Sequence, residues 1–379
     1  MDKFNKQAAN IKTSELFLDN NSSFLEEIRK TKRGALIFAL SPGLQKKYKK
    51  YIDTNSTEEK AMLCAQIIDM YEETWLWRLW NRRAISKRDK RVSEQQRGYK
   101  RTYLDYSPCN KRDYYSVVAV IKDEARYMRE FVLFYQATGA DRIYIYDNDS
   151  SDNIMEVLDP FIKDGYVVYR SIHGPEIQDY VYRDAVRTTK GKTKWLAIVD
   201  ADEFLFSPHG DMPGQLKAYE QYPGIGANWV MYGPNGHVKR PEGLVMDNYT
   251  ETYADRNIPV NRHIKSIVQP DKVFTVSHPH FAIYKGRTYA VDERCNKIDN
   301  YCAYIKTVGR AFTESHQGQI FRINHYYTKS HEDLKEKCSR GFADGSGRRV
   351  FDDVIEMFDF PMEADYGIKP YADIVREKY

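Results

Sequence analysis

The chain has 379 residues, 42% hydrophobic and 30% charged, with a formal net charge of +4 at pH 7. That composition is globular, and the length accommodates two domains or one large domain with an appendage. The longest clean apolar run near the start, Gly34 to Leu40, falls well short of the roughly 20 residues a membrane-spanning helix needs.

The five cysteines (Cys64, Cys109, Cys295, Cys302, Cys338) are scattered, without metal-ligand spacing. With an opening Met1-Asp-Lys-Phe-Asn-Lys6 that lacks the hydrophobic core of a signal sequence, they point to a reducing, cytoplasmic setting. Residues 1–112 hold 24 Lys/Arg against 14 Asp/Glu, a local charge of +10, which leaves −6 for the rest. The basic excess is densest from Arg78 to Arg101, directly after Trp75-Leu-Trp-Arg-Leu-Trp80. Such a stretch suits peripheral contact with an anionic membrane surface at the inner face. A helical appendage with packed tryptophans and solvated charges is the simpler reading, and nucleic acid is not expected as a partner. Two capping-box patterns, Ser23-x-x-Glu26 and Ser56-x-x-Glu59, precede helical stretches. In the second, Ala61, Ala65, Ile68, Tyr71, Trp75 and Leu79 keep a three-to-four spacing. Residues 1–112 therefore read as a helical, basic accessory region.

From Tyr114 the pattern changes. Ser116–Ile121 is a strand-like run, followed by Lys122-Asp-Glu124 and a helix through Tyr127, Phe131, Phe134 and Tyr135 that Gly139 closes. Arg142–Tyr146 is a second strand, Asp147–Asp152 a polar turn, Ile154–Phe161 a helix and Tyr166–Tyr169 a third strand. Pro175 opens another helix and Gly191 ends it. Trp195–Val199 then reads as a strand buried on both faces, breaking into Asp200, Asp202 and Glu203. This alternation demands parallel pairing with right-handed crossovers: an α/β, doubly wound, mostly parallel sheet.

Three polar clusters converge at the carboxyl ends of those strands: Lys122-Asp-Glu124, Asp147 to Asp152 with Asp149 inside it, and Asp200-x-Asp202. No glycine-rich phosphate loop is present. A carboxylate-lined site would neutralise a diphosphate through Mn²⁺ or Mg²⁺, the chemistry suited to a nucleotide-sugar. Asp147 would offer acceptors to the base or ribose. By itself D-x-D is a weak signal, equally read as an acidic turn capping the next element, and Glu203 reads either as part of the catalytic turn or as its brace. Further on, Trp229 and Tyr232 precede a turn where aromatic faces could stack on an acceptor sugar; core packing is the competing reading. His278-Pro-His280 reads as structural. Asp255, Asp292 and Glu293 lie in the acceptor half without any one standing out as a general base. Phe321–Ser330 reads as a strand delivering His325, with Lys329 close behind to offset phosphate charge.

Five ordered motifs over residues 115–345 carry a resemblance: VVAVIKDEARYMREFVLFYQATGADRIYIYDNDSSD, KWLAIVDADEF, NWVMYGPNGH, HIKSIVQP and INHYYTKSHEDLKEK. The chain resembles glycosyltransferase family 92 and the family 2-like glycosyltransferases with the GT-A fold. The resemblance implies sugar transfer, hexosyl transfer foremost, from a nucleotide donor, a UDP-sugar above others. Transfer would use Mn²⁺ and invert the anomeric centre, in surface polysaccharide synthesis on a glycan or lipid-linked acceptor. It implies Asp200 and Asp202 as the D-x-D pair, His325 as a later metal ligand and Asp147 in the nucleoside pocket. Asp123 departs from the pattern, because many relatives carry Asn before the glutamate. The expected layout is an accessory region over 1–112, a GT-A domain over 113–345 and a tail over 346–379. Two other readings stay open: a nucleotidyltransferase of similar fold, which usually carries a Gly- and Arg-rich loop after the first strand, and a non-catalytic membrane-associated scaffold.

Overall fold

Strand-forming runs and amphipathic helices alternate at crossover length, and the result is the expected α/β architecture on a large sheet with a parallel centre. The computed structural model describes residues 32–56, 102–104, 112–174, 177–284, 288–298, 311–340 and 349–379, with Lys30, Lys60, Leu63 and Ile67. The Trp75–Arg101 segment, both capping boxes in whole or in part, and Pro175 lie outside the described residues. Two compact units are present: residues 1–97 with 301–308, and residues 98–300 with 309–379. Among the described residues no helix is long and apolar enough to cross a membrane.

In the first unit, α1 (Lys32–Ala39) is followed by α2 (Pro42–Asp53), whose Pro42 stands in the first turn, where a missing N–H removes no helical bond. Ile37 and Leu44 are buried, and Phe38 meets Tyr48 edge-on at 5.8 Å.

The second unit holds an 11-stranded sheet. At one edge β1 (Thr102–Leu104) runs antiparallel to the strand that ends the parallel set. That set is β2 (Asp113–Ile121), β3 (Arg142–Asn148), β4 (Val167–Ile172) and β5 (Thr193–Asp200), in the order β4-β3-β2-β5. The crossovers are α3 (Ala125–Ala137), α4 (Ile154–Lys163) and α5 (Gln178–Thr189). Both faces of these strands are covered. Val117, Ala119, Ile143, Ile145, Trp195, Ala197 and Val199 join one apolar cluster, while Val118, Tyr144, Tyr146, Leu196 and Ile198 join the other. This explains why the runs show no polar alternation.

Beyond β5 the chain doubles back. The short β6 (Glu203–Phe206) leads through α6 (Met212–Lys217) to β7 (Gly224–Met231) and α7 (Val245–Asn248). Next come β8 (Glu251–Tyr253) and β9 (Ile264–Val268), the latter antiparallel between β5 and β7. β10 (Val273–His278) and β11 (Phe281–Tyr284) form a hairpin, and β12 (Ala290–Val291) with β13 (Lys297–Ile298) closes that side of the sheet. β14 (Arg322–His325) inserts between β7, which it parallels, and β6, which it opposes. α8 (His331–Arg340), α9 (Phe351–Glu356), β15 (Met362–Ala364) and α10 (Lys369–Arg376) complete the unit.

What the sequence presents as a tail after residue 345 reaches the main core. Tyr371, Ala372 and Val375 are buried, Tyr371 packs on Phe134 (5.7 Å) and Phe206 (5.4 Å), and its hydroxyl donates to the Ser207 carbonyl (3.0 Å). An eight-residue helix offers too few turns for its periodicity to stand out.

Glu130 on α3 is buried and accepts the Val245 and Met246 N–H groups (2.8 and 3.0 Å) at the start of α7. Burial pushes its carboxyl up to about 7. The unfolded chain ionises this group near pH 4.5, before the folded chain does, so its contribution is complete below that pH and is lost as pH rises through about 7. Urea denaturation should show wild type losing on the order of 3 kcal/mol relative to Glu130→Gln between pH 4 and 8. Parallel pH profiles for the two proteins would refute this assignment.

Candidate active site

The buried β5 strand delivers Asp200 to the sheet's carboxyl edge, and a two-residue turn carries the chain into β6. Asp200 Oδ1 accepts the Tyr182 hydroxyl (2.9 Å) and Gln178 Nε2 (3.2 Å), while Oδ2 pairs with Lys265 Nζ at 2.8 Å. Lys265 is 1% exposed and lies 3.5 Å from Glu203 Oε2 as well. Glu203 in turn accepts the Asp200 N–H (2.8 Å), which closes the turn. Asp202 faces the other way. Its Oδ1 lies 3.5 Å from His325 Nε2, and its Oδ2 accepts from Lys337 Nζ, which also donates to the Tyr327 carbonyl (2.9 Å).

These contacts set the charges. Burial pushes the Asp200 carboxyl up, but the Lys265 ammonium outweighs it and holds the group below the usual carboxylate range. Burial likewise opposes ionisation of Asp202, yet Lys337 and His325 hold it well below that range. Glu203, fully enclosed, is pushed up to about 8: burial and the two aspartates together exceed the pull of Lys265. His325 is shifted down by burial despite the Asp202 charge beside it.

The turns after β2 and β3 are stitched together. Ser150 Oγ accepts the Asp123 N–H (2.8 Å), and Asp123 Oδ1 accepts the Ser151 N–H (2.7 Å). Six non-glycine residues among those described adopt a left-handed backbone, and three of them, Asp123, Asp149 and Lys329, belong to this edge. Such conformations concentrate where a site over-determines the chain. Asp147 is not the free acceptor the sequence suggests. It is 4% exposed, its Oδ2 accepts the Tyr169 hydroxyl (2.5 Å) and its Oδ1 the Ser150 N–H (3.1 Å), so both oxygens hold the turn. Asp149 and Asp152 are the exposed carboxylates of that turn: Asp149 pairs with His173 and accepts the Gly174 N–H (3.2 Å), and Asp152 accepts the Ala125 N–H (2.8 Å). Lys122 is exposed, with Arg340 on its carbonyl; Glu124 pairs with Lys329 (3.4 Å) and Arg340 (3.2 Å). Lys329 sits over the Tyr127 ring at 4.1 Å, and its charge helps hold Asp202 ionised.

On the β7 side, half-buried Trp229 stacks on His263 (5.2 Å, 22°), meets His280 edge-on (5.0 Å) and tilts against His325 (4.5 Å). Tyr232 does not share this wall. It is 1% exposed, packed on Tyr326 (4.9 Å), and its hydroxyl is taken up by Asp365 and Arg322 (3.0 and 2.6 Å), so it presents no face to a ligand. Asp292 and Glu293 are also structural. Asp292 accepts from Arg294, Asn296 and Gln317, and Glu293 accepts four successive backbone N–H groups from Gly318 to Phe321. Asp255 is exposed and accepts the Asn257 N–H.

The expected metal triad is not assembled: among the described residues no three His, Cys, Asp or Glu side chains are arranged to hold an ion. Asp200 is turned away because Lys265, Tyr182 and Gln178 occupy its oxygens. The Asp202–His325 pair does fit an ion. Its oxygen and nitrogen stand 3.5 Å apart, near the roughly 3 Å that separates adjacent ligands of a small octahedral cation. Lys265, Lys337 and His263 were not singled out from the sequence, and His280 reads there as structural. Lys265 leaves a trace there, a lysine inside the apolar strand Ile264–Val268; Lys337 leaves none.

The model of glycosyltransferase family 92 matches residues 116–341, more than half of the chain and every site residue above. The chain belongs to glycosyltransferase family 92. A family 92 protein of Oryza sativa subsp. japonica (Os08g0121900) is 28% identical over 272 residues, covering 68% of this chain and 44% of that protein. One from Ricinus communis (RCOM_0530710) is 24% identical over 244 residues, 62% of this chain and 42% of that one. The chain thus spans less than half the length of the family 92 relatives it matches. Solved structures similar in part include S. aureus TarS in complex with UDP, with a TM-score of 0.28, 12% identity and coverage of 41% of this chain and 47% of that one. Another is GalNAc-T7 with UDP, GalNAc and Mn²⁺, with a TM-score of 0.29, 11% identity and coverage of 71% and 55%. At those scores the likeness carries no functional weight.

Proposed function

We propose that this family 92 chain is a glycosyltransferase that moves a sugar, hexose foremost, from a nucleotide-sugar to a glycan or lipid-linked acceptor. The observation that carries the reading is the pairing of Asp202 with His325 at the carboxyl edge of the parallel sheet, inside the family match. Asp202 and His325 would hold a Mn²⁺ or Mg²⁺, which when bound supplies Lewis-acid neutralisation of the donor's diphosphate. Lys329 and Lys337 add positive charge beside Asp202. Asp149 and Lys122 stand at the exposed end of the stitched turns, where a nucleoside would lie. Asp200 serves from behind, fixing the turn through Lys265 and Tyr182. The stacked Trp229–His263 pair is the acceptor platform, since an aromatic face suits the C–H face of a sugar. UDP as the nucleotide, inversion at the anomeric carbon, a role in surface polysaccharide synthesis and attachment to the inner membrane face belong to this proposal.

The test is a thermal-shift and calorimetry screen of UDP, GDP, ADP and CDP with and without Mn²⁺. UDP with Mn²⁺ should stabilise the fold by about 2.7 kcal/mol at a hundredfold excess over Kd, with a smaller effect when the metal is omitted. Incubation with a UDP-sugar should release UDP. Release of pyrophosphate from a nucleoside triphosphate would point to nucleotidyl transfer, and no response to any nucleotide would overturn the enzyme reading.

A further inference from the structure

Two buried polar atoms behind the acidic turn face each other without a partner. His325 Nδ1 and Glu203 Oε1 are both enclosed, both lack a hydrogen bond, and lie 3.9 Å apart. Their approach is set by the backbone: β14 and β6 are antiparallel, with His325 directly opposite Glu203 in the ladder. The other atom of each side chain is occupied. Glu203 Oε2 accepts the Asp200 N–H, and His325 Nε2 faces Asp202. The imidazole is wedged between Trp229 (4.5 Å) and Tyr327 (5.4 Å), so its tilt is fixed by packing while Nδ1 is left unsatisfied. Leaving two buried polar groups unpaired is unfavourable, and closing the gap by under an ångström would satisfy both.

We propose that Glu203 is the positioning residue for His325. In the ion-loaded site the Nδ1–H donates to Glu203 Oε1, which leaves the Nε2 lone pair directed at the Asp202 side. Whichever ring nitrogen is hydrogen-bonded from behind decides which one can act as ligand. This pairing explains why a glutamate follows the D-x-D pair and is buried where no substrate reaches it. The inference rests on the reading of Asp202 and His325 as the ion-holding pair.

The test uses the full chain labelled with ¹⁵N-histidine and loaded with diamagnetic Mg²⁺, the His325 signals being assigned by their loss in His325→Gln. The expected spectrum has Nδ1 protonated and Nε2 unprotonated. Calorimetry with Mn²⁺ should show Kd rising roughly 10–100-fold in Glu203→Leu, the range for loss of a ligand's hydrogen-bonded support. Glu203→Gln, which keeps an accepting oxygen, should fall closer to wild type. An Nε2–H tautomer in the loaded wild type, or Mn²⁺ affinity unchanged in Glu203→Leu, overturns the role of Glu203 alone. Failure of the wild type to take up either ion overturns the ion-holding pair along with it. Should Glu203→Leu not fold, the wild-type tautomer still decides.

Discussion

Lys265→Met should lower the stability of the second unit by about 3–5 kcal/mol, the cost of leaving a buried charge without its partner. One ammonium, 1% exposed on β9, serves Asp200 at 2.8 Å and Glu203 at 3.5 Å. Its own environment favours the charged form: burial lowers its pKa, but Asp200 and Glu203 outweigh that and raise it. Methionine would fill much of the space and supply no charge. Asp200 would keep only the Tyr182 and Gln178 donors, and Glu203 only the Asp200 N–H. Removing both ends together should hurt less than removing one. The double variant Lys265→Met/Asp200→Asn should therefore recover part of the loss in urea denaturation. If the single variant matches wild type, or the second change adds its full cost, the two groups do not form the unit described.

The same pair marks where the sequence stops being legible. The Trp195–Val199 run could be placed as a buried strand because both of its faces are apolar, and its abrupt acidic end located the edge of the site. Strand direction beyond that point had no such signal. The run Ile264–Val268 is equally compatible with either direction, and it is antiparallel contact with β5 that brings Lys265 to Asp200. Two-residue alternation did hold usable information at Asp147. Ile143 and Ile145 point into one core cluster, and Asp147 follows them to the face where Tyr169 is buried. Its carboxylate was therefore bound to serve the turn, while Asp149, paired with His173, stays exposed. Asp200 and Asp202 show the converse. D-x-D spacing makes the two acids look equivalent, yet Lys265 and Tyr182 capture one while His325 and Lys337 flank the other. Those partners come from elements 18 to 135 residues away, and no local spacing reveals them.

Asp202→Asn and Lys337→Met should move Mn²⁺ affinity in opposite directions. Asp202 contributes one of the two atoms of the proposed ion site, and an amide is a far poorer ligand for a hard cation, so Asp202→Asn should take Mn²⁺ binding below calorimetric detection. Lys337 occupies the other oxygen of the same carboxylate, fixed by the Tyr327 carbonyl (2.9 Å) and by the Tyr327 ring beneath it at 4.1 Å. Burial pushes this ammonium's pKa down against the pull of Asp202, and the charges of Lys329 and Arg349 add to the downward shift. A cation arriving at Asp202 must compete with it. Lys337→Met should accordingly bind Mn²⁺ alone more tightly, by about tenfold for a charge-assisted hydrogen bond of roughly 1.5 kcal/mol no longer opposing it. The nucleotide should respond with the reverse sign. A diphosphate entering beside Asp202 brings the negative charge that a displaced Lys337 would follow, so UDP binding at saturating Mn²⁺ should weaken by a similar factor in Lys337→Met. Simple damage to the fold would weaken both ligands together, as would a purely structural Lys337. A parallel loss of Mn²⁺ and UDP affinity in that variant would therefore sink the idea that Lys337 holds the ion's place on Asp202.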